Sequence, residues 1–186
     1  MREIYINAFK SALSEIEECY YHVRTTYCDE GIVRERVFCY ELYHKLRSAD
    51  NDRRQLSLSA EIDKRGHIGF APSHQANPDF VLHNPGTFKN NEVVVEVKGK
   101  MVKDGVIKDL RTLDNFLSLY NYRYGFFILY NYSIQQLKHR LILWARNGSF
   151  DERSDKFKDI IVFCKQNAKT NTEVSTIGRL LGDIVG

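Results

Sequence analysis

Two short motifs hold the residues best suited to chemistry: Pro78-Asp79, and Glu96-Val97-Lys98 within an apolar run. On a strand, positions i and i+2 share a face, so Glu96 and Lys98 point one way while Val95 and Val97 point the other. Residues 84–91, Asn-Pro-Gly-Thr-Phe-Lys-Asn-Asn, are rich in turn formers and join the apolar runs 79–83 and 92–98 into a hairpin. Folding that hairpin about its middle, between Thr87 and Phe88, sets Asp79 directly opposite Glu96, with Cβ atoms roughly 4.5–5.5 Å apart. Two carboxylates so placed repel, and either one takes up a proton or a cation sits between them.

A hard divalent cation suits the second case. Magnesium takes oxygen ligands, keeps several waters and is satisfied by one or two carboxylates plus a phosphate oxygen. Lys98 adds a positive point charge beside it. Metal, carboxylates and lysine together suit phosphodiester hydrolysis, in which charge builds on the phosphoryl oxygens. The neighbouring acids oppose a neutral Lys98, so an electrostatic role is expected rather than a general base. The plain alternative is a surface hairpin whose Asp79, Glu96 and Lys98 only form salt bridges; against it, charge in so apolar a strand is costly.

Several elements must hold these residues in place. Ile4, Ala8, Ala12, Ile16 and Tyr20 recur every fourth residue and predict a helix over 3–24, broken by Cys28-Asp29-Glu30-Gly31. A second helix is predicted over 32–47, with Phe38, Cys39, Leu42 and Leu46 on one side. Leu56, Leu58, Ala60 and Ile62 then alternate with polar residues, the pattern of a half-buried strand over 56–63. A turn at 64–66 and a short return strand at 67–71 follow. Beyond the hairpin come a helix over 108–120, an apolar strand over 124–130, a helix to 145 capped by Ser133, a strand over 159–163 and a terminal helix over 176–184. No linker interrupts the chain, so residues 1–186 read as one α/β domain.

Pro-Asp, a gap, then Glu-x-Lys on the following strand resembles the signature of the PD-(D/E)XK nuclease superfamily, the restriction-endonuclease-like fold. That family's core is a helix, a three-stranded antiparallel meander, a helix and a strand. The order over about 32–130 matches it, leaving an extra N-terminal helix and a C-terminal helix-strand-helix extension. The resemblance implies a nuclease, an endonuclease-type hydrolase acting on DNA rather than RNA. It implies that Asp79, Glu96 and the Val97 carbonyl bind Mg2+, with Mn2+ able to substitute, and that Lys98 is the catalytic lysine. The family often adds a glutamate from the preceding helix. Glu35 and Glu41 are the candidates, about 120° apart around the axis. Glu35 precedes Phe38, Cys39 and Leu42 at the +3, +4 and +7 positions and so faces inward; it is the first choice, with Glu41 as the alternative. The same fold also serves as a catalytically inactive nucleic-acid-binding or assembly module of a defence or mobile-element complex. Homodimers and larger complexes both fit a small chain with no separate recognition domain.

Composition narrows the remaining classes. The 186 residues are 43% hydrophobic and 12% aromatic, enough for a packed core and too much for disorder. Lys and Arg number 27 against 24 Asp and Glu, too even to advertise a nucleic-acid binder. The excess is local, because residues 97–140 hold eight basic residues against Asp104, Asp109 and Asp114. Tyr120, Tyr122, Tyr124, Tyr130 and Tyr132 are core aromatics or base-stacking surfaces. Cys19, Cys28, Cys39 and Cys164 lack the close Cys-x-x-Cys spacing of a zinc site and read as reduced thiols, although Cys19, His22 and Cys28 lie near one another. His44, His74, His83, Glu61 and Asp63 weigh less. No apolar stretch approaches a membrane span or signal peptide, so a cytoplasmic location is expected.

Overall fold

The computed structural model describes residues 2–49, 56–60, 77–84, 91–150 and 153–182. Its centre is a six-stranded mixed sheet formed by β3 (Ser57–Ala60), β4 (Phe80–His83), β5 (Val93–Lys98), β6 (Tyr124–Tyr130), β7 (Ile161–Lys165) and β8 (Glu173–Thr176), side by side in that order. Strands β3, β4 and β5 are antiparallel neighbours, β5 to β7 run parallel, and β8 returns antiparallel along β7. Helices α3 (Lys103–Leu119) and α4 (Ile134–Arg146) lie in the β5–β6 and β6–β7 connections, as parallel pairing requires.

Helices cover both faces of the sheet. Against one face pack α1 (Arg2–Ser14), through Tyr5, Phe9 and Leu13, and α2 (Glu35–Ala49), through Phe38 and Leu42. Against the other pack α3, α4 and the short α5 (Ile177–Leu181), with the chain's single tryptophan, Trp144, buried among them. Central strands are therefore apolar on both sides. In β6, Phe126 and Ile128 face the α1–α2 layer, while Phe127 and Leu129 face the α3–α4 layer. No helix among the described residues is long and apolar enough to cross a membrane.

Most predicted elements are present, and three depart from expectation. The first helix ends at Ser14 rather than running to 24. A single 3-10 turn at Glu18–Tyr20 follows, and then a separate hairpin of β1 (Val23–Thr25) and β2 (Cys28–Ile32). Of the residues on the four-residue spacing, Ile4 and Ala8 are exposed and Tyr20 is half-buried. Ala12 and Ile16 are buried, and Ile16 lies beyond the end of the helix, so its place in the spacing reflects packing and not helix. Helix α3 begins at Lys103, five residues early, with a polar first turn. Strand β8 was not expected and holds one apolar residue, Val174. The predicted turn at 64–66 and strand at 67–71 lie outside the described residues.

Candidate active site

Strand β5 organises the site. Val93, Val95 and Val97 enter the α1–α2 layer and Val94 the α3–α4 layer, which puts Glu96 on the side of α3. The observed β4–β5 pairs are Phe80 with Val95, Val81 with Val94 and Leu82 with Val93, the register obtained by folding the hairpin between Thr87 and Phe88. Continued one step, that register sets Asp79 opposite Glu96, and the Asp79 carboxylate is close enough to raise Glu96. Asp79 lies just before β4, and its Oδ2 accepts the Val97 N–H at 2.7 Å. Within a strand, a residue's N–H and C=O face the same neighbour, so the Val97 carbonyl also points to the Asp79 side. The residue opposite it in register is Pro78, which has no N–H to offer.

Lys98 bridges the two helical layers. Its Nζ lies 3.1 Å from Oε2 of Glu35, the first residue of α2, and 2.8 Å from Oδ2 of Asp109 on α3. Glu41, the alternative to Glu35, pairs instead with Lys45 at 3.3 Å and lies within reach of the Tyr20 hydroxyl. Directly after Lys98, Gly99 passes so close to the Tyr130 phenol and a Val33 methyl that a Cβ has no room. Tyr130 is itself fixed by stacking on Phe38, with ring centroids 3.9 Å apart.

The electrostatics follow from crowding acids in a poorly hydrated place. Burial pushes Asp79 up to about 6; the Val97 N–H opposes this, Asp109 and Glu35 add to it, and Lys98 reduces it. Glu96, only 7% exposed, is raised well above the ordinary glutamate range, first by burial and then by Asp79 and Asp109. Asp109, 3% exposed, is raised by burial against the pull of Lys98 and Lys108. For Lys98 the sign is reversed. Burial works against its charge, but Asp109 and Glu35 together outweigh burial and hold the ammonium above its ordinary range.

Among the described residues, no three His, Cys, Asp or Glu side chains converge as a metal cage. The donors on hand for a cation are therefore two opposed carboxylates and a backbone carbonyl. That set fits magnesium, which completes its shell with water, and it does not fit an all-protein calcium or zinc site. The charge pattern fits too, because a divalent ion beside Asp79 and Glu96 would offset the burial and the neighbouring negative charge that raise them.

Other candidates lie elsewhere. His44 is exposed on α2, and His83 sits at the far end of β4 from Asp79, paired with Ser57. None of the four cysteines is in a disulfide, and Cys19, His22 and Cys28 form no ligand cluster. Arg123 pairs with Glu92 at the opposite end of β5. Glu61, Asp63 and His74 fall outside the described residues. Sequence reasoning overlooked Asp109 by counting it among surface charges. Its signal was its position in an apolar stripe, with Val106 at −3, Leu113 at +4 and Phe116 at +7. Compared with known proteins, the chain matches no family model, no curated protein and no solved structure.

Proposed function

We propose that the chain is a metal-dependent nuclease with a restriction-endonuclease-like core, hydrolysing phosphodiester bonds of DNA in preference to RNA. One observation supports this above the rest: Asp79 accepts the Val97 N–H between Glu96 and Lys98, at the end of β5 to which the β4–β5 register carries it. The succession α2, β3, β4, β5, α3, β6 supports the fold assignment.

In this reading Asp79, Glu96 and the Val97 carbonyl hold Mg2+, with Mn2+ as a substitute; when bound, the ion polarises the phosphate and acidifies a bound water. Lys98 stays an ammonium throughout. It places positive charge where the phosphoryl oxygens become more negative and takes no proton from water. Glu35 and Asp109 are positioning residues that fix Lys98 from either side. Hydrogen bonding to the Val97 N–H aims one Asp79 oxygen along the strand and leaves the other for the ion.

The test is direct. Purified protein with Mg2+ or Mn2+ is incubated with plasmid, linear duplex, single-stranded DNA and RNA. Cleavage that disappears in Asp79→Ala and Lys98→Ala, with each variant still folded, supports the proposal; all four substrates intact with both metals overturn it. A second reading, a catalytically inactive nucleic-acid-binding or assembly module, is favoured by the lack of a third ligating side chain among the described residues. Calorimetric titration with Mn2+ separates the two, because an inactive module gives no binding heat that Asp79→Ala removes.

A further inference from the structure

Five tyrosines between residues 120 and 132 are candidate stacking surfaces, and the fold sorts them. Tyr120, Tyr122 and Tyr130 are buried, and Tyr124 packs on Tyr5 with centroids 5.9 Å apart. Tyr132 differs. It is half-buried, two residues past the end of β6, and lines a cavity of about 580 Å³ with Met101, Gln135, Gln136, His139 and Arg140.

The position of this cavity ties it to the candidate active site. Lys98 and Leu129 are register partners on parallel strands, so the chain leaves β5 and β6 at the same edge of the sheet. Met101 follows Lys98 by three residues, and the Asn131 amide donates to the Gly99 carbonyl at 3.5 Å, joining the two exits. Met101, Tyr132 and Ile134 pack on the α3–α4 layer, the side of the sheet on which Glu96 lies.

We propose that this cavity receives an unpaired nucleobase next to the bond to be cut, so that the substrate is a single strand or a single-stranded segment. The inference rests on the nuclease reading and narrows its substrate class. The cavity offers what a base binds. Tyr132 supplies a ring face, Met101 a polarisable edge, and the Gln135 and Gln136 amides supply hydrogen bonds for a Watson–Crick edge. Gln136 Oε1 already accepts the Ser133 N–H at 2.8 Å, which leaves its amide N–H groups as donors. Arg140 and His139 also line this open groove and are exposed, so a phosphate backbone could run beside them. A paired base has its faces covered by neighbours and its Watson–Crick edge taken, so only an unpaired or extruded base can stack on Tyr132 and reach those amides.

The experiment uses the full chain without metal, so that nothing is cut. A short single strand carrying 2-aminopurine, as DNA and as RNA, is titrated beside the same sequence as a duplex. Single strands are expected to bind more tightly and to lose 2-aminopurine emission on binding. Tyr132→Ala is expected to weaken single-strand affinity about 5- to 150-fold and abolish the quench. Tyr132→Phe keeps both, and duplex affinity hardly moves in either variant. Gln135→Ala, at an exposed position that does not endanger folding, is expected to weaken the single strand alone. Unchanged single-strand affinity in Tyr132→Ala and Gln135→Ala overturns the proposal, as does an equal loss for single strand and duplex. Tyr132-dependent quenching in a protein that cleaves nothing with metal removes the nuclease reading and keeps the cavity. Metal-dependent cleavage indifferent to strandedness and to Tyr132 does the reverse.

Discussion

Replacing Asp79 with asparagine tests the electrostatic picture without any substrate. Asparagine keeps the shape and can still accept the Val97 N–H, but it carries no charge. An aspartate ordinarily near 3.8 that titrates at about 6 is protonated in the folded chain over a range where the unfolded chain has already ionised. Wild-type stability therefore falls as pH rises from about 4 to about 6 and stays lowered above that. At 1.36 kcal/mol per pH unit the cost is about 3 kcal/mol at pH 8, about 1.6 kcal/mol at pH 5 and about 0.5 kcal/mol at pH 4. Asp79→Asn should recover those amounts, and release of Glu96 from its neighbour's charge acts in the same direction. Urea unfolding in EDTA reads the effect directly. With a slope of about 2 kcal/mol/M, the midpoint should rise by about 1.5 M at pH 8 and hardly at all at pH 4. Mg2+ should stabilise the wild type at pH 8 and leave the variant unchanged. A variant no more stable than wild type at pH 8, or shifted equally at every pH, would refute the reasoning.

Three further outcomes follow from the same geometry. Glu35→Gln should lower cleavage and Glu41→Gln should not, because Glu35 contacts Lys98 and Glu41 contacts Lys45; the wild-type pH–rate profile should show no lysine titrating below the ordinary lysine range. Gly99→Ala should cost about 1–3 kcal/mol in denaturant unfolding, because the new methyl group, just past the end of β5, collides with Tyr130 and Val33. Ser133→Ala removes the hydroxyl that accepts the Gln136 N–H at the start of α4 and should cost about 1 kcal/mol, a fall of about 2–4 °C in melting temperature.

The sequence was legible wherever local pattern and tertiary packing agree. Residues 124–130 form a strand with the predicted limits because a run apolar on both sides belongs between two helical layers. The β4–β5 register was legible because a hairpin joins strands close in sequence and its symmetry needs no distant information. Ser133 was legible because an N-cap is a local hydrogen bond. The misses have the opposite cause. Ile16 and Tyr20 pack against other elements beyond the end of α1, which mimics α-helical spacing where the α-helix has stopped. Residues 173–176 pair with β7 through backbone groups that any side chains permit, so Glu-Val-Ser-Thr gave no signal. Asp109 meets Lys98 only because α3 lies over β5, a juxtaposition of residues eleven apart that no strand or helix period encodes.

The placement of Trp144 gives the molecule a built-in optical reporter. The indole lies in the layer formed by α3, α4 and α5, while the layer formed by α1 and α2 contains phenols such as Tyr5, Tyr21 and Tyr130 and no indole at all. Light absorbed by tryptophan alone therefore watches one side of the sheet, and far-ultraviolet dichroism watches the whole backbone. Superposable curves from the two signals would mean that both sides melt as a single cooperative unit, and a lag between them would reveal which side loosens first, with no dye or label attached.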